Sequence, residues 1–359
     1  MKIIKLIFVI ANWVAAVLLL GATLAGVVKP SSLIWPSLLS YGFIPLLLLN
    51  VLFVVGWLIC GSKQFLVSAI VILLRFTFIP ACFQIGGHPD EPSEGVLMLK
   101  VTNFNVHHFY GPKYLENGRE ATNIENNITA FLDFVRSENS DLLCIEEFLP
   151  YTKKTDVRDS LRLMGYHYHV LASPLGRSSL ALWSRYPIVD TLYIDSVCKM
   201  RAGIVVNEDT LSFYCLHLAS YRLNNDDKEG IDLIASGDLH KASLRQTVSK
   251  FKQTILSHEK EWSLLNPIME RDHHRMIVAG DFNDTPASYV YLKMTDILRD
   301  CYRDKGKGFG TTYRGQFPAF RIDYIMHSAG LKTLSYQRVK SDISDHYPIT
   351  VEFEIPGRK

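Results

Sequence analysis

Several polar side chains stand at the ends of apolar runs, where a folded α/β protein exposes its functional groups. Asn105 ends LKVTNFN, Glu147 ends DLLCIEE and His217 ends LSFYCLH. The other candidates come later in the chain: Asp281 and Asn283 in RMIVAGDFN, Asp323 in FRIDYIM, and Asp345 and His346 in SDISDHYPI. Singly, Asn105 or Asp323 would more often be a turn or capping residue than a catalyst, so the appearance of these residues together indicates a site.

This set of side chains is suited to binding a divalent cation. Four carboxylates, two amides and two imidazoles would be costly to bury together without compensating charge. Hard ions such as Mg²⁺ accept oxygen ligands and are held by one or two carboxylates together with a substrate phosphate. The six cysteines form no CxxC pair and no HExxH motif occurs. The sequence therefore favours Mg²⁺, with Mn²⁺ as the alternative, over zinc.

Alternating strand and helix patterns supply the framework for these residues. Helical periodicity predicts helices at Asn123–Ser137 and from Asp238 to about Ser263. Mixed strands and helices over this length predict a layered α/β domain with two packed sheets. Short β-rich runs predict its strands at Val96–Val106, Asp141–Ile145, Ser179–Ser184, Leu211–Leu218, Met276–Gly280, Arg321–His327 and Ile349–Ile355.

Short sequence blocks carry a resemblance to a known family. In chain order, NFNVHHF, DLLCIEEF, SRYPI, YCLHLAS, GDFNDTP, RIDYI and SDHYPI resemble the signature blocks of the endonuclease/exonuclease/phosphatase (deoxyribonuclease I-like) superfamily. Each block alone is a weak signal, but GDFN, RIDYI and SDHYP are specific in this order and spacing. The resemblance covers roughly residues 97–353. It implies a four-layer sandwich of two mixed β-sheets flanked by helices, with metal-dependent phosphoesterase activity.

The resemblance implies which residues serve the metal and the attacking water. Asn105, Glu147 and Asp345 would lie at the metal ion. Asp345 together with His346 would activate or orient the water. The family commonly has Gln-Glu at the metal strand, whereas this chain has Glu146-Glu147. The register of the block favours Glu147 as the ligand and leaves Glu146 as a core residue or a second carboxylate.

The resemblance also assigns the residues that would handle the phosphate. Asp281 would help to hold the water or the metal, and Asn283 would donate to a phosphate oxygen. His217 would contact the phosphate and protonate the leaving oxygen, with Asp323 hydrogen-bonded near it. Phosphoryl transfer depends on positioning and charge neutralisation more than on covalent help, which agrees with this division.

Further residues are candidates for contacting the substrate. Arg245 lies in a basic helical stretch, which is more often a solvated face than a phosphate site. Thr312 and Tyr313 lie in the loop GKGFGTTYRGQFPAFR, which is expected to form a wall of the active site. His107 and His108 match no catalytic position of the family, so they are expected at the pocket wall or on the surface.

Residues 1–86 differ in composition from the rest and predict a membrane region. Its three apolar runs, Ile3–Val28, Leu38–Cys60 and Phe65–Phe83, are each near the length that crosses a bilayer. The first run exceeds a usual signal-peptide core, which favours a retained helix over a cleaved signal. Arg75 interrupts the third run, at a cost in hydrocarbon. Residues 87–95 form a linker, and residues 96–359 form the catalytic domain.

The distribution of charge predicts the orientation in the membrane. Lys2 and Lys5 place the amino terminus in the cytoplasm, and Lys63 lies in a cytoplasmic loop. Acidic residues follow the third run, and no lysine or arginine comes before Lys100. An odd number of spans then puts the catalytic domain outside the cytoplasm, which describes a multi-pass inner-membrane protein with a periplasmic domain.

The bulk composition limits the classes of substrate and partner. With 38 basic and 36 acidic residues the net charge is +2, so no global field attracts nucleic acid. A phosphodiesterase or phosphatase acting on a lipid or small phosphate ester is favoured. A nuclease for extracytoplasmic DNA or RNA is the alternative, and a non-catalytic membrane-bound binding module is a third reading. The lipid bilayer is an expected partner, and no protein partner is inferred.

Overall fold

The residues of the chain divide between two structural units. The computed structural model describes residues 2–111, 124–152, 154–172, 179–194, 198–221, 241–314 and 320–357, with backbone only at 241–244. The first unit contains Met1–Phe83, Tyr221–Trp262 and Asp284–Asp296. The second contains Gln84–Ser220, Ser263–Asn283 and Ile297–Lys359. The first unit thus includes two stretches from the region where only a catalytic domain is predicted.

The second unit is built on two mixed β-sheets. Their strand orders are β11-β12-β1-β2-β4-β3 and β5-β6-β7-β8-β10-β9. The strands are β1 (Leu97–Asn105), β2 (Leu142–Phe148), β3 (Tyr168–Ala172), β4 (Ser179–Ser184), β5 (Ile188–Tyr193), β6 (Lys199–Val206), β7 (Asp209–His217), β8 (Arg275–Asp281), β9 (Arg299–Asp300), β10 (Asp323–His327), β11 (Lys332–Arg338) and β12 (Ile349–Ile355).

Each sheet has one parallel pair at its centre, and these pairs carry the functional residues. Strand β1 runs parallel to β2, and β7 runs parallel to β8 with His217 opposite Asp281. The antiparallel neighbours β10 and β12 begin where β8 and β1 end, with Asp323 opposite Asp281. The carboxyl ends of the parallel strands and the starts of their antiparallel neighbours therefore share one edge of their sheet.

The two sheets pack face to face through small and branched apolar residues. Val101 and Cys144 of the first sheet lie in one buried cluster with Phe213, Cys215 and Ala279 of the second. The outer face of the first sheet packs against helices at Ile124–Glu138 and Val157–Leu163 through Phe131 and Leu161. The prediction of two mixed sheets flanked by helices is confirmed. Short elements without strong periodicity, such as β5 and β11, were not predicted.

The helices are numbered along the chain. In the residues that the structure describes they are α1 (Lys2–Ala22), α2 (Trp35–Ser40), α3 (Phe43–Ile59), α4 (Phe65–Leu74), α5 (Ile79–Cys82), α6 (Ile124–Glu138), α7 (Val157–Leu163), α8 (Lys241–Glu270), α9 (Tyr289–Thr295) and α10 (Cys301–Lys305). The predicted helices near 123–137 and 238–263 correspond to α6 and α8; residues 123 and 238–240 lie outside the described residues.

The prediction of three full membrane spans is not confirmed. Within the part of the chain that the structure describes, one helix, Lys2–Gly26, is long and apolar enough to cross a membrane. The run 38–60 is divided between α2 and α3, and α3 has only 17 residues. The third run breaks at Arg75, where Phe65–Leu74 and Phe76–Cys82 are bent by 54° and would count as one span only together. Hydropathy measures how apolar a stretch of sequence is, and it does not detect where a helix ends or bends.

The amino-terminal helices bury a small polar cluster and leave many large apolar side chains exposed. Asn12, Asn50 and Ser68 are fully buried, and Ser68 Oγ lies 2.6 Å from Asn12 Oδ1 and 2.7 Å from Asn50 Oδ1. Ile3 and Leu52 are among many large apolar side chains that stay exposed. Polar groups that bond between helices, with apolar groups facing outward, form an arrangement suited to lipid surroundings.

Candidate active site

The predicted catalytic side chains converge at one edge of the second unit. Asp281 is at the centre, with its Oδ2 atom 3.0 Å from Asn105 Nδ2 and 3.9 Å from both His217 Nε2 and His346 Nε2. Glu147 lies beside it, since Glu147 Oε1 is 3.9 Å from His217 Nε2. Gly280 lets β8 lie close to β7 at this point, because a Cβ at position 280 would be 1.8 Å from the carbonyl oxygen of Leu216 on β7.

His346 is held by Asp323, which corrects one predicted pairing. His346 Nδ1 lies 3.0 Å from Asp323 Oδ2, while Asp323 was expected beside His217. The reason is strand order: β10, which carries Asp323, lies on one side of β8, and β7, which carries His217, lies on the other. With Nδ1 engaged, Nε2 is the atom of His346 that faces Asp281 and, at 4.0 Å, Asp345.

An irregularity in β2 brings Glu147 into the site. Regular alternation would point Glu146 and Glu147 to opposite faces of the sheet. The pairing of β2 with β4 shifts register between Ile145 and Phe148, and Glu147 has a φ of 51°. Glu146 is fully buried, and its Oε1 accepts from Cys144 Sγ at 3.3 Å. The Glu147 side chain keeps 24% of its surface exposed. The geometry agrees with Glu147 as the accessible carboxylate of the pair.

His107 and His108 are part of the site, although the family pattern does not mark them. His108 Nδ1 lies 2.9 Å from Glu147 Oε2, and His107 Nδ1 lies 3.4 Å from Asp345 Oδ1. Both have positive φ values, 46° and 53°, which are strained for residues other than glycine. The sequence feature that could have identified them is their position, two and three residues after Asn105. A strained turn that directly follows β1 brings both histidine side chains to the site at the end of that strand.

Asn105 connects two of the carboxylates. Its Nδ2 donates to Asp281 Oδ2 and, at 3.4 Å, to Glu147 Oε1, while its Oδ1 accepts from the backbone N–H of His107 at 3.0 Å. In this orientation the amide nitrogen of Asn105 holds the carboxylates of Glu147 and Asp281 in position. A role as an oxygen ligand of the metal, as the resemblance implies, remains a prediction.

The remaining predicted residues have different surroundings. Asn283 donates from Nδ2 to the carbonyl oxygen of Leu218 at 3.0 Å, and Tyr313 stacks edge-on against His346 with ring centroids 5.2 Å apart. Thr312 is fully buried and its Oγ1 accepts from the backbone N–H of Asp323 at 3.1 Å, so it supports Asp323, and its contact with the substrate stays a prediction. Arg245 is exposed on α8 in the first unit, and its phosphate-binding role stays a prediction.

The carboxylates shape the electrostatics of the site. Burial opposes the charged form of His346, but Asp323 and Asp281 outweigh it and raise the pKa of His346 well above its ordinary value. Burial and the neighbouring Asp323 raise the pKa of Asp281 to about 6. Burial likewise raises the pKa of Glu146, with Cys144, Asp323 and Asp281 adding to the shift. These shifts show that several carboxyl groups lie close together, and such a cluster attracts a cation.

Among the described residues, one buried group of side chains has the donors that a divalent metal requires, and two more accessible carboxylates lie at the same edge. Asp281, Asp323 and His346 offer ligand atoms within 4.8 Å of one another, but the side chains of Asp281 and Asp323 are each only 1% exposed. Glu147 and Asp345 retain 24% and 20% exposure. A metal that also binds a substrate phosphate must be reached from solvent, so the more accessible carboxylates suit it better. Their oxygen atoms fit a hard ion.

Comparison with known families agrees with this geometry. The model of the Endonuclease/Exonuclease/phosphatase family matches residues 102–346, which is more than half of the chain. Residues 5–82 match a domain of unknown function (DUF8431). A search of curated proteins found no significant match.

Solved structures of the same architecture resemble the chain at low identity. The catalytic domain of human Nocturnin, solved with a bound sulfate anion, is 17% identical with a TM-score of 0.51, covering 73% of this chain and 96% of that one. A family protein from Leptotrichia buccalis is 17% identical with a TM-score of 0.46, covering 71% and 99%. D. rerio TDP2, complexed with single strand DNA product, is 15% identical with a TM-score of 0.48, covering 72% and 99%. The family match over residues 102–346 shows that the chain belongs to the endonuclease/exonuclease/phosphatase family.

Proposed function

We propose that the protein is a membrane-anchored, divalent-metal-dependent phosphoesterase that hydrolyses a phosphodiester or phosphomonoester by attack of water. The observation that carries the proposal is the meeting of Asn105, His217 and His346 around a single carboxylate oxygen of Asp281, within 3.9 Å. Glu147 and Asp345 add accessible negative charge at the same edge. Phosphate is itself anionic, so such a site needs a cation before it can hold its substrate.

The side chains divide the work of hydrolysis between them. Asp323 fixes the ring of His346 through Nδ1, which leaves Nε2 to hold the attacking water. Nε2 accepts the proton of that water only when the ring is neutral, and positive charge bound at Glu147 and Asp345 would favour the neutral ring by opposing the raised pKa of His346. His217 lies across Asp281 from His346, and in this proposal it contacts the phosphate and donates to the leaving oxygen. Asn283 contributes an amide donor, and Tyr313 forms a wall beside His346. A bound Mg²⁺ or Mn²⁺ would neutralise charge on the phosphate and polarise its oxygens.

A substrate panel tests the proposed activity. The full-length protein, purified in detergent, would be supplied with Mg²⁺, Mn²⁺ or Ca²⁺ and with DNA, RNA, phospholipids, sphingomyelin-like lipids, inositol phosphates and p-nitrophenyl esters. We expect hydrolysis of at least one ester class. Preference for DNA or RNA over every lipid would favour the nuclease alternative. A folded protein that cleaves nothing with any metal would contradict the proposal and favour a binding module.

Glu147 and Glu146 form a matched pair for testing the metal site. Glu147→Gln should raise the Mg²⁺ concentration for half-maximal rate by at least about 10-fold, because an accessible negative ligand is lost. Glu146→Gln should leave that concentration unchanged, because burial already favours the neutral form of this carboxyl group. Metal titrations of the hydrolysis rate measure both. A larger effect at Glu146 would assign the ligand to that residue.

The membrane attachment is part of the proposal, supported by the Lys2–Gly26 helix and the apolar exterior of the amino-terminal helices. Lys2 and Lys5 favour a cytoplasmic amino terminus. With one span, the catalytic domain lies outside the cytoplasm. With two spans, as when Phe65–Leu74 and Phe76–Cys82 act as one, it lies inside.

Reporter fusions decide the orientation. In a bacterial host, alkaline phosphatase fused to the carboxy terminus should be active, and green fluorescent protein fused there should be dark. Replacing Lys2 and Lys5 by glutamine should reduce this asymmetry, because the positive charges set the orientation. A fluorescent fusion with an inactive phosphatase fusion would place the catalytic domain in the cytoplasm.

A further inference from the structure

A buried network in the first unit surrounds the residue that follows Asn283. Asp284 is 3% exposed, and both of its carboxylate oxygens are engaged. Tyr41 donates from its hydroxyl to Oδ1 at 2.6 Å, and His258 Nδ1 lies 2.9 Å from Oδ2. The backbone N–H of Thr285 also donates to Oδ1 at 2.9 Å. Tyr41 comes from the amino-terminal helical segment and His258 from α8.

Aromatic rings enclose these polar contacts. The hydroxyls of Tyr41 and Tyr221 are hydrogen-bonded to each other. The rings of Tyr41 and Phe251 meet edge-on at 5.1 Å, and those of Tyr221 and Phe251 pack at 4.6 Å. We call Tyr41, Tyr221, Phe251, His258 and Asp284 the Asp284 network. A carboxylate in such apolar surroundings is tolerated only while its hydrogen-bond donors are in place, so the network specifies one position for Asp284.

Asn283, joined to Asp284 by a peptide bond, has a backbone conformation that needs support. Its φ is 50°, in the left-handed region. On its amino-terminal side the backbone N–H of Asn283 donates to Asp281 Oδ1 at 2.8 Å, and its side chain is fixed on Leu218. Left-handed residues other than glycine persist when their surroundings determine them from both sides. Asp284 supplies the fixed point on the carboxy-terminal side.

We propose that Asp284 is a positioning residue, and that Tyr41 and His258 set the placement of Asn283 by holding it. The amino-terminal segment is then required for catalysis and does more than attach the enzyme to a membrane. This inference rests on the proposed function, because Asn283 is assigned there to the phosphate. Asp284 itself is not expected to touch the substrate.

Tyr41→Phe is the sharpest variant, because it removes one donated proton and keeps the ring that packs on Phe251. In full-length protein, with bis(p-nitrophenyl) phosphate and Mg²⁺, kcat should fall by about 10–100-fold while KM changes by less than about 2-fold. Tyr193→Phe, at an exposed tyrosine of β5, is the matched control and should leave both unchanged. An unchanged kcat in Tyr41→Phe would overturn the proposal.

A rescue series separates positioning from folding. His258→Ala should reduce kcat, and His258→Asn should restore much of it, because the asparagine amide nitrogen can replace Nδ1 as a donor to Asp284. In an Asn283→Ala background, Tyr41→Phe should lower kcat by less than about 2-fold, since its effect acts through Asn283. The same fold-loss in both backgrounds would show that Tyr41 acts independently of Asn283 and would overturn the proposal.

Hydrogen exchange tests the network without relying on activity. In Tyr41→Phe, amides of residues 282–288 should exchange faster, while those of β1 should be unchanged. If the wild-type protein hydrolyses no phosphate ester, the proposed function fails, and this exchange measurement still decides whether the network holds the loop. Unchanged exchange at residues 282–288 would overturn the positioning role even in an active enzyme.

Discussion

Replacing His346 by alanine should lower kcat by about 10²–10⁴-fold, the range for a general acid–base group. Its ring is oriented by the 3.0 Å contact of Nδ1 with Asp323 Oδ2, and Nε2 faces the centre of the site. Because the same group would serve the attacking water in every reaction, the loss should appear with every substrate. Steady-state rates with Mg²⁺, on an activated and an unactivated ester, measure it.

Two comparisons make this result specific. His167→Ala, at an exposed histidine, should leave kcat unchanged. His217→Ala should lower kcat less when the leaving group is already acidic, as in p-nitrophenolate, because that oxygen hardly needs a proton. His346 is buried, so circular dichroism and a His346→Gln variant must show a folded protein. Near wild-type kcat in folded His346 variants would remove this residue from the reaction.

Chelation of the metal should abolish hydrolysis, and added Mg²⁺ or Mn²⁺ should restore it. Glu147, Asp281, Asp323 and Asp345 place negative charge at one edge, and burial together with Asp323 raises the pKa of Asp281 to about 6. An anionic phosphate is repelled by this charge unless a cation neutralises it. Rates in EDTA, followed by titration with each ion, give the result.

Thermal unfolding gives a second readout of the metal. Binding to the native state alone stabilises it by RT ln(1 + [L]/Kd), about 2.7 kcal/mol at 100 times Kd. Mg²⁺ should therefore raise Tm in the wild-type protein and raise it less in Glu147→Gln. Full hydrolytic activity in EDTA, together with no shift in Tm, would contradict a metal-dependent mechanism.

Family membership restricts the chemistry more than the substrate. Members of this family are metal-dependent nucleases or phosphatases, and the site geometry is compatible with either. The substrate panel is therefore the experiment that separates lipid, small-molecule and nucleic-acid esters.

The sequence by itself determined the family and the layered α/β class of this protein. Apolar runs ending in Asn105, Glu147, His217 and Asp281 identified strands whose ends carry polar groups. Those signals are local, because the periodicity of a strand and the residue at its end can be recognised from a few consecutive positions of the sequence. The same locality explains why elements with weak periodicity, such as β5 and β11, were missed.

Only the tertiary structure decided which side chains meet. Strand order paired Asp323 with His346 instead of His217, and a register shift in β2 brought Glu147 to the edge. The helix break at Arg75 reduced the number of candidate membrane spans. Folding also brought Tyr41 into hydrogen-bond contact with Asp284, which is 243 positions away in the sequence. Each outcome depends on non-local pairing and backbone geometry, and neither hydropathy nor motif spacing contains this information.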